Sequence, residues 1–132
     1  MRGSSRAAAA AGLDALQQVV GSIDAADLAE QFFAAGAIVE GNATLRRALT
    51  DPSREGSAKS ELARRLFDGK VSDQATQVLA VLAGQRWADE FDLSETIERF
   101  GVASLAESAE RGGRLQQVED ELFRFERIVA GN

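Results

Sequence analysis

Cysteine and histidine are both missing from the 132 residues, and proline occurs once. Without Cys the chain has no disulfide and no thiol nucleophile; without His it lacks the usual zinc ligand and the commonest general base. Those absences weigh against an enzyme and imply no metal or cofactor. A single Pro leaves helices uninterrupted, and the abundance of Ala, Leu, Glu and Arg favours them, with little material for a β-sheet. No run approaches the ~20 apolar residues needed to cross a bilayer, so any membrane association has to come through partners. Basic residues are scattered through a chain of net charge −6, so no basic domain points to nucleic acid. The pairs Arg46-Arg47 and Arg64-Arg65 read as solvated helix faces.

What is present is ordinary for a soluble domain: 45% hydrophobic and 27% charged residues in a length that supports one core. The opening "MRGSSRAAAAAG" has a positive start and a small-residue run, as a secretory signal does. Its alanines are too weakly apolar, and are broken by Gly12 and Asp14, so the stretch is expected to be mature sequence.

Helical spacing and cap residues divide the chain into consecutive helices. Ser4 or Ser5 is expected to cap helix one, which runs to about Val20 before Gly21. Asp24 caps a second, where Leu28, Phe32, Ala35 and Val39 share one face. Asn42 caps a short third with Leu45 and Leu49, before "DPSREGS" interrupts. Ser57 is expected to open a fourth, with Leu62, Leu66 and Phe67 on its apolar side and Gly69 suited to a left-handed terminator. Ser72 caps a fifth, "DQATQVLAVLAGQRW", apolar over so much of its girth that it should sit centrally or carry a second contact surface. Leu93, Ile97 and Phe100 mark a sixth, expected to stop at Gly112-Gly113, with a further helix from about Leu115. The expectation is an all-α fold, a compact six-helix bundle followed by an extra C-terminal helix.

That last segment repeats an earlier one. Without gaps, "VEDELFRFERIVAGN" aligns on "LAEQFFAAGAIVEGN", pairing Phe33 with Phe123, Ile38 with Ile128, Val39 with Val129, Gly41 with Gly131 and Asn42 with Asn132. Val118, Leu122, Phe125 and Val129 reproduce the apolar stripe of helix two. Capped amphipathic helices share spacing by convergence, but a terminator in register argues for duplication. The domain reading is therefore residues 1–112 as a six-helix unit and 113–132 as the first helix of a truncated second one, within a longer protein.

Helix one carries two stripes at 100° per residue. Leu13, Leu16 and Val20, with Ala9, form a bulky stripe expected to face the domain's own core. Ala8, Ala11, Gly12, Ala15 and Val19 form one of mostly small residues. Either both pack inside the bundle, or the small stripe borders a groove beside helix five that accepts an amphipathic helix from a partner. Arg86-Trp87 is either an interface anchor or a cap on the edge of the core. The acidic pairs Asp89-Glu90 and Glu119-Asp120 have no partner residue to tune them for acid/base work.

"SSRAAAAAGLDAL", "FFAAGAIVEGNATLRRALTDPSREGSAKSELARRLFDGKVS" and "LAGQRWADEFDLSETIERFGVASLAESAERG" resemble the N-terminal domain of the delta subunit of bacterial F-type ATP synthase, the oligomycin-sensitivity-conferring protein family. The likeness runs in order from about Ser4 to Gly113, most specifically in "LRRALTDP", "GKVS" and "QRW"; the final helix is similar to the start of a second helical unit found in a longer form. The resemblance implies a non-catalytic stator component, peripheral to the cytoplasmic side of the bacterial plasma membrane. It also implies a groove between helices one and five that receives the N-terminal helix of an alpha subunit, and a b-type peripheral-stalk subunit bound through a region absent from this sequence. Carried over by position, the groove residues are Ala8, Ala11, Gly12, Ala15, Gln77, Val78 and Val81. Relatives often have an aromatic residue or a proline in helix one where this chain has alanines. The other open reading is a free-standing all-α adaptor or regulator with its own partner.

Overall fold

In the computed structural model, which describes residues 1–130, every regular element is a helix: α1 (Gly3–Val19), α2 (Ala25–Gly41), α3 (Ala43–Thr50), α4 (Gly56–Phe67), α5 (Asp73–Ala83) and α6 (Asp92–Ala130). Three of the cap assignments are met directly. Asp24 Oδ1 accepts from the Asp27 N–H at 3.0 Å, Asn42 Oδ1 from the Leu45 N–H at 3.0 Å, and Ser72 Oγ from the Ala75 N–H at 3.1 Å. Each satisfies an otherwise orphaned donor and is worth about 1 kcal/mol. Gly69, with φ 75°, follows α4 in the left-handed conformation expected of it.

Four boundaries differ, one of them the end of α5, which stops at Ala83 with Gly84 as its cap rather than running on to Trp87. Neither Ser4 nor Ser5 caps α1, which starts at Gly3 behind an Arg2 whose side chain makes no cap bond. Ser5 is instead buried within the first turn. α4 starts two residues early, at Gly56, behind Glu55 in place of Ser57. The break expected at Gly112-Gly113 is not there: α6 runs on for 39 residues, so the extra C-terminal helix continues it. Gly69 is the only positive-φ glycine among the described residues, so Gly112 and Gly113 keep helical backbones. A helical glycine costs about 1 kcal/mol relative to Ala, which weakens a helix without ending it. The shared terminator Gly131-Asn132 and the side chains of Val118, Leu122, Phe125 and Val129 lie outside the described residues.

The core is built from the expected faces. Leu28, Phe32, Ala35 and Val39 of α2 are fully buried against α6, where Leu93, Ile97 and Phe100 meet them. The rings of Phe32 and Phe100 pack edge to face with centroids 6.2 Å apart. α6 comes close to α2 because Gly101 leaves room for the Phe33 ring, which a Cβ there would meet at 2.7 Å. α5 is the central helix: Ala75, Val78, Leu79, Ala80, Leu82 and Ala83 are all buried, with α4 on one flank and α1 on another. On α4 the buried line is Lys59, Ala63 and Phe67, while Leu62 and Leu66 pack at its edge.

Candidate helix-binding groove between α1 and α5

α1 and α5 lie side by side and antiparallel, tied at both ends. At one end Ser5 Oγ accepts from the Ala88 N–H at 2.9 Å and donates to Asp92 Oδ2 at 2.7 Å. At the other, the Gln74 side-chain amide donates to the Ser22 carbonyl at 3.3 Å. Between these ties the small residues of α1 let the two helices close. A Cβ added to Gly12 would stand 2.8 Å from Leu82 Cγ and 3.1 Å from Phe100 Cε2, so only hydrogen fits there.

Both stripes contribute to the core, the small one more than the bulky one. Ala8, Gly12, Ala15 and Val19 face the core, joined by Leu16, whereas Leu13 of the bulky stripe is 42% exposed and Val20 half-buried. The reason is distance: where helices approach this closely, bulk is displaced to the sides of the contact line and small residues occupy the line.

The seven groove positions accordingly fall into two layers. Ala8, Gly12, Ala15 and Val78 are buried in the seam and hold α1 against α5. Ala11 and Val81 are half-buried, and Gln77 is exposed. Gln77 and Val81 also border a depression of about 580 Å³ on the α4 flank, with Arg64, Asp68, Asp73 and Thr76. A smaller hollow of about 150 Å³ between α1 and α6, lined by Leu16, Gln17, Val20, Ala103, Ser104 and Glu107, is mostly apolar. Of the groove positions themselves, those that reach the surface, Ala11, Gln77 and Val81, are small, apolar or amide-bearing, a composition suited to contact.

Trp87 belongs to the scaffold. It is 4% exposed, and its indole Nε1 donates to the Leu82 carbonyl at 2.8 Å, closing the C-terminus of α5. Beside it Arg86 is exposed. Three structural polar groups depart from the sequence reading: Ser5 was expected as a cap, Arg46 as part of a solvated helix face, which its burial contradicts, and Lys59 was not singled out. Ser5 lies on the 5, 8, 12, 15, 19 line, so its burial was readable from spacing. Arg46 and Lys59 gave no such signal, because long cations score as surface. Arg46 is buried beneath the Phe91 ring, 4.2 Å from its centroid, donates to the Glu40 carbonyl and approaches Glu90 at 3.9 Å.

No protein-family model matches the chain. Among curated proteins it is 44% identical over 130 residues to the ATP synthase subunit delta of Kineococcus radiotolerans, an alignment covering 94% of this chain and 47% of that protein. It is 42% identical over 135 residues to the ATP synthase subunit delta of Streptomyces griseus, covering all of this chain and 49% of the relative. The ATP synthase subunit delta of Nocardia farcinica is 40% identical over 134 residues, again covering all of this chain and 50% of the relative. The chain thus spans about half the length of the curated relatives it matches.

Proposed function

We propose, from the premise that over the region it spans this chain belongs to the ATP synthase delta subunit family, that it is a non-catalytic part of the stator. Its role is to bind the N-terminal helix of an alpha subunit along the α1–α5 seam and so hold the catalytic head against rotor torque. The observation that carries the reading is the combination of identity along almost the entire chain with an α1–α5 pairing that leaves Ala11, Gln77 and Val81 accessible. In this reading Ala11, Gln77 and Val81 touch the partner, while Ala8, Gly12, Ala15 and Val78 set the spacing of the two helices beneath it.

The protein then acts as a peripheral subunit of a membrane-bound complex, on the cytoplasmic side of the membrane. Among the described residues no helix is long and apolar enough to cross a bilayer. Residues 113–132 are read as the first helix of a second unit homologous to 1–112, which accords with relatives about twice as long. The b-type stalk subunit is assigned to the part of those relatives that this chain does not span.

The rim is tested by replacing Ala11 with Trp and measuring affinity for a synthetic alpha-subunit N-terminal peptide. Ala11 is half-buried, so circular dichroism first checks that the variant keeps its helices, and a seated helix should then be displaced, weakening binding about tenfold or more. Unchanged affinity would remove α1 from the contact.

A further inference from the structure

We propose that the depression at the start of α4, lined by Arg54, Lys59 and Arg86, is a binding site for an oxyanion, a carboxylate or phosphate group. The hollow measures about 370 Å³ and lies between the α3–α4 turn and the C-terminal end of α5. Three cations line it against one carboxylate, Glu55, in a chain whose net charge is −6.

Lys59 is the anchor. The residue is 2% exposed, yet its ammonium, with three N–H donors, makes a single hydrogen bond, to the Gln85 carbonyl at 2.8 Å. Arg86 makes no hydrogen bond or ion pair among the described residues, and Arg54 reaches only Asp51, at 3.9 Å. Burial first, and then the neighbouring Arg86, push the Lys59 amine below its ordinary value, with Asp51 opposing. Lys59 and Arg86 thus border one hollow, whose only lining carboxylate is Glu55. The turn before α4 and the end of α5 meet closely under the hollow, where a Cβ on Gly56 would stand 2.5 Å from the Gly84 carbonyl oxygen. The side chain of Glu55 makes no cap bond to α4 and leaves its first turn without a covering group.

A buried cation takes a counter-ion more readily than an exposed one, because its charge is less screened. Arg54 and Arg86 are exposed and can close over a ligand held by Lys59. The site lies apart from Ala11, Gln77 and Val81, so it stands or falls independently of the groove.

The test is NMR titration of the whole chain at constant ionic strength with two probes, inorganic phosphate and N-acetyl-glutamate amide. The expected result is saturable shifts of Gly56, Ser57, Lys59 and Arg86, together with a rise in the titration midpoint of the Lys59 amine. Arg86→Ala or Arg54→Ala should each weaken binding by about fivefold, as losing one charge contact does. Arg99→Ala, in its own pair with Glu95 on α6, should leave it unchanged. Saturation by phosphate alone identifies a small free anion as the ligand; saturation by the glutamate probe identifies an acidic side chain of a partner. Shifts that stay linear without saturating for both probes, or an affinity indifferent to Arg86→Ala, overturn the site and leave Lys59 as a closure for the end of α5.

Discussion

Gly12 of α1 faces Leu82 of α5 so closely that a Cβ on Gly12 would stand 2.8 Å from Leu82 Cγ. Leu82 is fully buried and cannot swing clear. Gly12→Ala gains up to about 1 kcal/mol of helix propensity but meets an overpacking cost of about 1–3 kcal/mol, so a net loss of about 1–2 kcal/mol is expected in urea unfolding. Gly112→Ala is the control: its Cβ meets nothing within 4 Å, and stability should hold or rise by up to about 1 kcal/mol.

Ser5 joins α1 to the start of α6 through one buried hydroxyl that both accepts and donates. Ser5→Ala leaves the Ala88 N–H and the Asp92 carboxylate short of a partner, at a cost of about 1–3 kcal/mol by denaturant unfolding. Ser4→Ala, one residue away and exposed, should be neutral, whereas loss of a helix cap would have made either serine matter.

Trp87 is sealed, with its Nε1 on the Leu82 carbonyl, so its emission should be blue-shifted and resist acrylamide quenching in the free protein. Trp87→Phe removes that bond and part of the core edge, a loss of about 1–3 kcal/mol expected in thermal or urea melts. A Trp87 signal that quenches as freely as an exposed indole would contradict its placement.

Lys59 gives a pH dependence whose sign is fixed. Its folded-state pKa lies below the ordinary 10.5, so the unfolded chain holds the proton more tightly. Stability linked to this group is therefore lowest under neutral conditions and rises with pH between the depressed folded value and 10.5. Lys59→Met should flatten that alkaline rise in a series of melts, and Lys70→Met, an exposed lysine, should leave it intact.

The fold was legible in the sequence where short-range chemistry decides it. Asp24, Asn42 and Ser72 announce their helices by the cap bond each makes, and the Leu28–Phe32–Ala35–Val39 line appears in the structure as the most deeply buried face of α2. Reading failed where tertiary contact overrides local pattern. Leu13 looked like core by size, but which stripe of α1 turns inward depends on how near α5 comes, and spacing along one helix does not contain that distance. Lys59 and Arg46 are buried by neighbours far along the chain, Gln85 and Phe91. Gly112-Gly113 resembled a break because glycine ends helices when it turns left-handed; here the backbone stays helical through both. Of the groove, the pairing of α1 with α5 was readable from their excess of small and apolar residues. The division into a buried seam and an accessible rim was not.

The central claim is that the α1–α5 face receives a helix from an alpha subunit, and calorimetric titration of the folded chain with a peptide of the cognate alpha-subunit N-terminus tests it most directly. Heat is the appropriate readout, since Trp87 is buried away from the rim. The account predicts a saturable one-to-one isotherm with Kd of about 10 micromolar or tighter and a negative heat-capacity change from apolar burial. No saturable heat at tens of micromolar peptide, roughly the weakest affinity a standing joint tolerates, with circular dichroism showing the helices intact, would contradict it.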